Sequence, residues 1–216
     1  MEQPGLSPRA ERTRRTLLDA AEALFSEKGF DATRLEDVAE RVGIRRASIV
    51  YYFKDKRELY DAVLGDVFGG LLARVSGPLE RAGSLEERVQ EAVSAWVDYV
   101  GRRPSLARIL LREVADAVPG RAQALSGQTG PFFELVQRVT RQLARDGPAP
   151  SLMDSVHFAS AIAGATVFFV AALPALVPGT GFDPAIPDRL AEHRTRVLAL
   201  ARHLLAEQLA RPRMTV

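Results

Sequence analysis

Thr33 to Lys56 reads TRLEDVAERVGIRRASIVYYFKDK, and this stretch decides the fold. Leu35, Val38, Ala39 and Val42 recur at the three-to-four-residue spacing of one buried helix face. Thr33 and Glu36 fit the S/T-x-x-E capping box, which predicts that this helix opens at Thr33. Gly43 supplies a turn. A second helix is predicted from about Arg45 to Phe53, with Ile49 and Phe53 one turn apart on its inner side. Asp55 and Glu58 form another capping pair and open a further helix. The second helix carries Arg45 and Arg46 at its N-terminal end, where the helix dipole makes cations unfavourable. A local rule broken in this way points to an external partner, and the partner of an arginine-bearing positive helix tip is a polyanion. Helix, tight turn and basic second helix is the geometry that enters the major groove of DNA.

Working outward, residues 41–57 hold six bases (Arg41, Arg45, Arg46, Lys54, Lys56, Arg57) against the single acid Asp55, on a chain whose net charge is only +2. A second cluster, Arg9, Arg12, Arg14 and Arg15, precedes the first apolar helix face; a solvated surface explains it as well as a partner does. With Ile49 and Phe53 turned inward, Arg46, Ala47, Val50 and Tyr51 fall on the outer side of the second helix. Arg46 suits the bidentate pairing to guanine O6 and N7, and Ala47 and Val50 suit thymine methyls. Candidate phosphate ligands surround them: Thr33 and Arg34 at one helix start, the hydroxyls of Tyr51 and Tyr52, and Lys56 at the next helix start, where backbone N–H groups also face an anion.

The rest of the chain also reads as helix, with no sustained two-residue alternation. Helix one is expected from Ser7-Pro8, through Leu17, Leu18, Ala21, Leu24 and Phe25, to a stop at Gly29. The helix after Asp55 runs towards Gly77-Pro78. Ser84 with Glu87 caps a helix holding Val89, Val93, Trp96, Val97 and Val100, and Pro104 opens another. Val118-Pro119-Gly120 is a break, Pro131 opens a helix through Leu143, and residues 146–150 form a loop. An apolar helix from Leu152 to Leu173, a Pro/Gly-rich loop and a last helix, Asp188–Leu209, complete the chain. The expected division is a small N-terminal domain, residues 1–60, and a larger helical one, residues 61–216.

Residues 12–64 resemble the DNA-binding domain of the TetR family of bacterial transcriptional regulators. The likeness rests on Leu24, Phe25, Gly29 and Phe30, on Ala32-Thr33, on Asp37-Val38-Ala39, on Val42-Gly43-Ile44, and on Tyr51-Tyr52-Phe53-Lys54-Asp55-Lys56 with Leu59. The resemblance implies an all-α protein with an N-terminal three-helix helix-turn-helix domain and a larger C-terminal ligand-binding and dimerisation domain. It implies base contacts at Arg46, Ala47, Ser48 and Val50, and phosphate contacts at Thr33, Tyr51, Tyr52 and Lys56. Many members have Ser at Arg45; arginine cannot cap, which costs about 1 kcal/mol, so Arg45 is assigned an anionic contact instead. The resemblance further implies operator DNA and a small-molecule effector as partners, and a homodimer built through the last two long helices. Ala159, Ala163 and Gly164 would let helices approach closely there, with Val197 and Leu204 on the last helix. Candidate pocket residues are Trp96, Tyr99, Phe132, Phe133, Phe168 and Phe169, although aromatics at helical spacing also serve as plain core.

Composition bounds the alternatives. At 216 residues, 47% hydrophobic and 26% charged, the chain can bury a real core. Cysteine is absent, so neither disulfides nor thiolate metal sites arise. The first twelve residues lack an apolar core, so a cytoplasmic location is expected. Residues 158–177 carry no charge and are long enough to span a bilayer, but Ala, Gly, Ser160, Thr166 and Pro174 favour a buried helix. His157 near Asp154 and Met153 has no partner histidine at metal-ligand spacing, so no metal is expected. No nucleophile–base pair, phosphate loop or carboxylate dyad stands out, so neither enzymatic activity nor a cofactor is expected. A ligand-released repressor is the expected function; a helical ligand carrier or enzyme with an incidental basic N-terminus is the alternative.

Overall fold

The computed structural model describes residues 7–115 and 151–210, together with 130, 131, 134, 135, 137 and 138. Every regular element among them is helical. In chain order these are α1 (Pro8–Ala32), α2 (Leu35–Val42), α3 (Arg46–Val50), α4 (Lys56–Glu80), α5 (Leu85–Gly101), α6 (Pro104–Ala115), α7 (Leu152–Val167), α8 (Leu173–Leu176) and α9 (Pro187–Ala210). A π turn, Phe168–Ala172, joins α7 to α8, and a 3-10 turn covers Pro178–Thr180. The chain divides into two compact units, Met1–Val67 and Phe68–Val216, so the division falls within α4.

The first unit, Met1–Val67, is built from α1, α2, α3 and the start of α4. Ser7 accepts the Ala10 N–H at 3.3 Å and Pro8 starts α1. Gly29, at φ 83°, breaks the helical path before the segment ending at Ala32. Gly43, at φ 75°, ends α2 in the left-handed conformation that side-chain-bearing residues resist. Leu17, Ala21, Phe25, Val38, Ile49, Phe53, Leu59 and Val63 are almost wholly buried. Each large apolar side chain removed from water contributes about 1.5–3 kcal/mol. Phe25 meets the edge of Tyr60 at 4.8 Å between ring centres, which locks α4 onto α1. Asp55 accepts the Glu58 N–H at 2.8 Å, and Glu58 accepts the Lys54 N–H at 2.6 Å, so the expected capping pair opens α4.

In the second unit the Ser84–Glu87 box opens α5, and an equivalent Ser151–Asp154 box opens α7. α9 packs on α5 and α7 through Val197, Ala201 and Leu205. Arg194 binds Asp98 at 3.0 Å, and the Leu190 side chain fills the space a Cβ at Gly101 would take, so any larger residue there would displace it. The helix expected to run unbroken to Leu173 instead widens: the Leu173 N–H reaches back to Phe168 O. Pro174 lacks an N–H and its ring crowds the carbonyl four residues earlier, which accounts for the π turn in front of it.

Two helical stretches, Lys56–Glu80 and Met153–Leu176, are long and apolar enough to cross a membrane by length and composition. The second is not enclosed by its own chain as expected: only 22% of its most apolar window is buried. Met153, Phe168 and Leu176 are exposed along it, as is Leu200 on α9. The expected break at Val118–Gly120, the loop at 146–150, and Phe132 and Phe133 lie outside the described residues. Of the helix expected from Pro131, residues 130, 131, 134, 135, 137 and 138 are helical, and Leu135 is buried.

Candidate nucleic-acid interface

α3 is a single short helix with two unlike sides. Ile49 and, just beyond the helix, Phe53 are buried, while Arg45, Arg46, Ala47, Ser48, Val50 and Tyr51 are all exposed. The helix is shorter than the predicted 45–53 span. Phe53 N–H still donates to Ile49 O at 2.9 Å, so the inward pair is held one turn apart as predicted. Arg45 occupies the N-cap position and makes no side-chain cap. Val50 is 52% exposed and Tyr51 74%, an apolar and an aromatic side chain beside arginine on a surface water would not favour. The Tyr51 ring meets the half-buried Tyr52 edge-on at 5.0 Å, which stiffens both.

Thr33 departs from its expected roles. It is 1% exposed, and its hydroxyl donates to Gly29 O at 2.7 Å and Leu24 O at 3.3 Å. Its one proton therefore closes the end of α1. It neither caps α2 nor remains to donate to a phosphate. Arg34 takes the N-cap position of α2 instead, its N–H donating to Asp37 Oδ2 at 3.4 Å. Lys28 hydrogen-bonds the same carboxylate at 3.1 Å; together the Lys28 ammonium and the Arg34 N–H hold the Asp37 carboxyl below its ordinary range.

Lys56 is also partly committed. Its ammonium donates to Phe30 O at 2.8 Å and Asp31 O at 3.2 Å and lies 4.3 Å from the Phe30 ring centre. That leaves one of its three protons and the amide end of α4 to meet an anion.

The charge count read from residues 41–57 alone is misleading, because acids elsewhere in the chain fold back onto it. Arg41 pairs with Glu27 at 3.4 Å, Arg46 with Glu36 at 3.0 Å and Arg57 with Asp61 at 3.1 Å. Arg34, Arg45 and Lys54 carry no ion pair among the described residues and supply the undischarged positive potential. The second basic cluster is partly structural: Arg14 lies 5.2 Å from the Phe53 ring centre, and Arg15 binds Asp19 and Asp66. A concave surface of about 360 Å³ between α2, α3 and the start of α4 is lined by Arg34, Glu36, Arg46, Val50, Lys54 and Lys56, among others. Lys54 and Glu36 were not singled out as site residues. The sequence marks Lys54 as one charge in a run and one residue of the family likeness, and it marks Glu36 as half of a cap that Thr33 does not make.

In the second unit, Trp96 and Tyr99 are buried on α5. Among the described residues the Trp96 Nε1 has no hydrogen-bond partner, whereas the Tyr99 hydroxyl accepts from Arg103 at 2.7 Å and its ring faces Arg74 at 4.7 Å. Phe168 is half exposed and does not face the interior as a pocket residue must. Phe169 stacks on His193 at 3.9 Å and meets Phe182 edge-on at 5.2 Å. Burial pushes the His193 imidazole below its ordinary pKa. Of the expected dimer residues, Val197 is buried within its own unit and is core rather than interface. Ala159, Ala163 and Leu204 are half-buried, and Gly164 is exposed. Among the described residues no cluster of three or more histidine or acidic side chains is arranged to hold a metal ion.

Comparison with known proteins gives the same first unit. Residues 17–63 match the family model for bacterial regulatory proteins of the tetR family. The HTH-type transcriptional regulator RutR of Escherichia coli K12 is 30% identical over 114 residues, 53% of this chain and 53% of its own length. The chain thus matches about half the length of its curated relatives. Over both units, a TetR-family structure from Syntrophomonas wolfei superposes with a TM-score of 0.72 at 18% identity, covering 94% of this chain and 99% of that one. The Bacillus subtilis regulator FadR, solved in complex with stearoyl-CoA, superposes with a TM-score of 0.66 at 15% identity, covering 91% and 97%. The helix-turn-helix with this inward and outward division lies wholly within residues 17–63, which match the family model for bacterial regulatory proteins of the tetR family.

Proposed function

We propose that the protein is a dimeric transcriptional repressor that reads operator DNA through α3 and leaves it when a small molecule binds the second unit. The observation that carries this is the division of α3. Ile49 and Phe53 anchor it, while Arg46, Ala47, Ser48 and Val50 are presented outward. Arg34, Arg45, Tyr51, Tyr52 and Lys56 serve as phosphate contacts around it. Phosphate contacts fix register, and base contacts carry the sequence.

One such helix makes a small interface, and a two-fold pair reading half-sites one helical turn apart is the physical solution. The apolar face left on the α7–α9 side, with Ala159, Ala163, Gly164 and Leu204 beside exposed Phe168 and Leu200, suits the second copy. In this reading the effector binds the second unit around Trp96 and Phe169. FadR's complex with stearoyl-CoA supports a ligand that carries a long apolar chain. α4 joins the two units covalently, so a ligand that favours one position of α4 changes the spacing of the paired α3 helices. It can do so only by binding the two arrangements with different affinity. Bacterial cytoplasm is the compartment where such a protein meets its DNA.

Selection from a random duplex pool tests this reading. The expected product is a two-fold symmetric consensus. Its affinity should fall with salt at a log–log slope of about −0.9 per phosphate neutralised. Recovery of no consensus, or a flat salt response, would contradict it.

A further inference from the structure

We propose that Glu36 is a positioning residue for base readout: its carboxylate holds Arg46 by Nε and so presents the rest of the guanidinium to one guanine. This rests on the DNA-binding reading above. Glu36 lies in the first turn of α2 and Arg46 in the first turn of α3, so the pair bridges the two helices of the helix-turn-helix motif. The contact runs from Arg46 Nε to Glu36 Oε1 at 3.0 Å, with both side chains more than half exposed. The closest approach is through Nε, and Arg46 pairs with no other acidic side chain among the described residues, so the terminal nitrogens are the pair it can offer to guanine O6 and N7. Among the described residues Glu36 has no other ion-pair or hydrogen-bond partner. It was the expected partner of a Thr33 cap, but Thr33 is turned inward, and Asp37 serves the α2 start.

In water such an exposed pair is worth little. Its value appears when DNA excludes solvent. A tethered arginine has less rotamer freedom to lose on binding, and a carboxylate beside it repels phosphate. Arg46 is thereby steered from the backbone, which carries no sequence, to a base edge, which does. Immobilising a free long side chain costs about three- to ten-fold in affinity, which sets the expected effect.

The experiment uses the full chain, the best duplex from random-pool selection, the same duplex with each guanine replaced in turn, and a random-sequence duplex. Glu36→Gln should weaken binding to the selected duplex by about three- to ten-fold. It should leave random-duplex binding equal or tighter and flatten discrimination at one guanine only. Arg46→Ala should erase discrimination at that same guanine, and adding Glu36→Gln to it should change nothing further. Glu40→Gln removes the same charge from an exposed site on α2 and should leave discrimination intact; thermal melts of all variants report folding. Selected-duplex affinity unchanged or raised by Glu36→Gln, or an equal effect from Glu40→Gln, would overturn the proposal while the DNA reading stands. Wild-type protein that binds neither duplex would overturn both.

Discussion

The two units present opposite surfaces to water. The first keeps its apolar residues inside and turns arginine, lysine and tyrosine outward around α3; its exceptions, Val50 and the Tyr51 ring, stand exposed at the end of that helix. The second leaves apolar side chains uncovered along Met153–Leu176 and at Leu200. A polar, positive surface with a few apolar points is completed by nucleic acid. An apolar helical face is what a second copy would complete. The lesson is that one chain carries two kinds of unmet demand, and each can be broken without touching the other.

The largest effect is expected from Phe53→Ala, which empties a buried site just beyond α3, beneath Arg14 of α1. A loss of about 3–5 kcal/mol follows from transfer and cavity terms together. Denaturant unfolding should show it, with DNA binding lost in parallel and dimerisation retained. Next, Phe168→Asp places a charge on the uncovered face of the second unit. Sedimentation should show dimer dissociation raised by about 2 kcal/mol or more, the scale of an interface hot spot, with the melting temperature of the first unit unmoved. Thr33→Val should cost about 1–3 kcal/mol of stability, because the Leu24 and Gly29 carbonyls lose their donor. Under conditions where the variant is fully folded its DNA affinity should match wild type, which separates a structural hydroxyl from a phosphate ligand.

Much of this architecture was legible in the sequence because its signals are local. The Asp55–Glu58 and Ser84–Glu87 pairs act within one turn, and Gly43 needs only its own backbone to end α2. What escaped depends on residues far apart in the chain. Thr33 has the right spacing to cap with Glu36, but its rotamer is settled by Leu24 and Gly29 carbonyls that the capping rule does not consider. The charge count over 41–57 could not include Glu27, Glu36 or Asp61, which neutralise half of its bases. Val197 has the same helical spacing whether it faces α5 or a second copy, so periodicity alone cannot separate core from interface. Pro174 marked a disturbance, but the fate of the hydrogen bonds before it had to be seen.

Arg46→Ala sharpens the comparison on the DNA side. It should cost about 1–3 kcal/mol at the preferred site and relax one base position, with the dimer intact by sedimentation. The smallest effect belongs to His193. Burial lowers its folded pKa below the ordinary 6.5, so its neutral form is the one the fold accommodates. Stability is complete above the unfolded pKa. It declines as pH falls from that value through the lowered folded one, because the unfolded chain gains the proton first. His193→Gln should remove that part of the decline, visible as a flatter melting-temperature profile on the acid side, while DNA affinity at neutral pH stays unchanged.

Methylation interference on the selected duplex tests most directly whether the arginine-bearing end of α3 lies in the major groove as one of a pair. The account predicts that methylating N7 of one guanine in each of two half-sites, centred about 34–36 Å apart, blocks wild-type binding, and that Arg46→Ala is indifferent to the same methyl groups. Binding insensitive to N7 methylation, or a single protected patch with no second half-site, would contradict it.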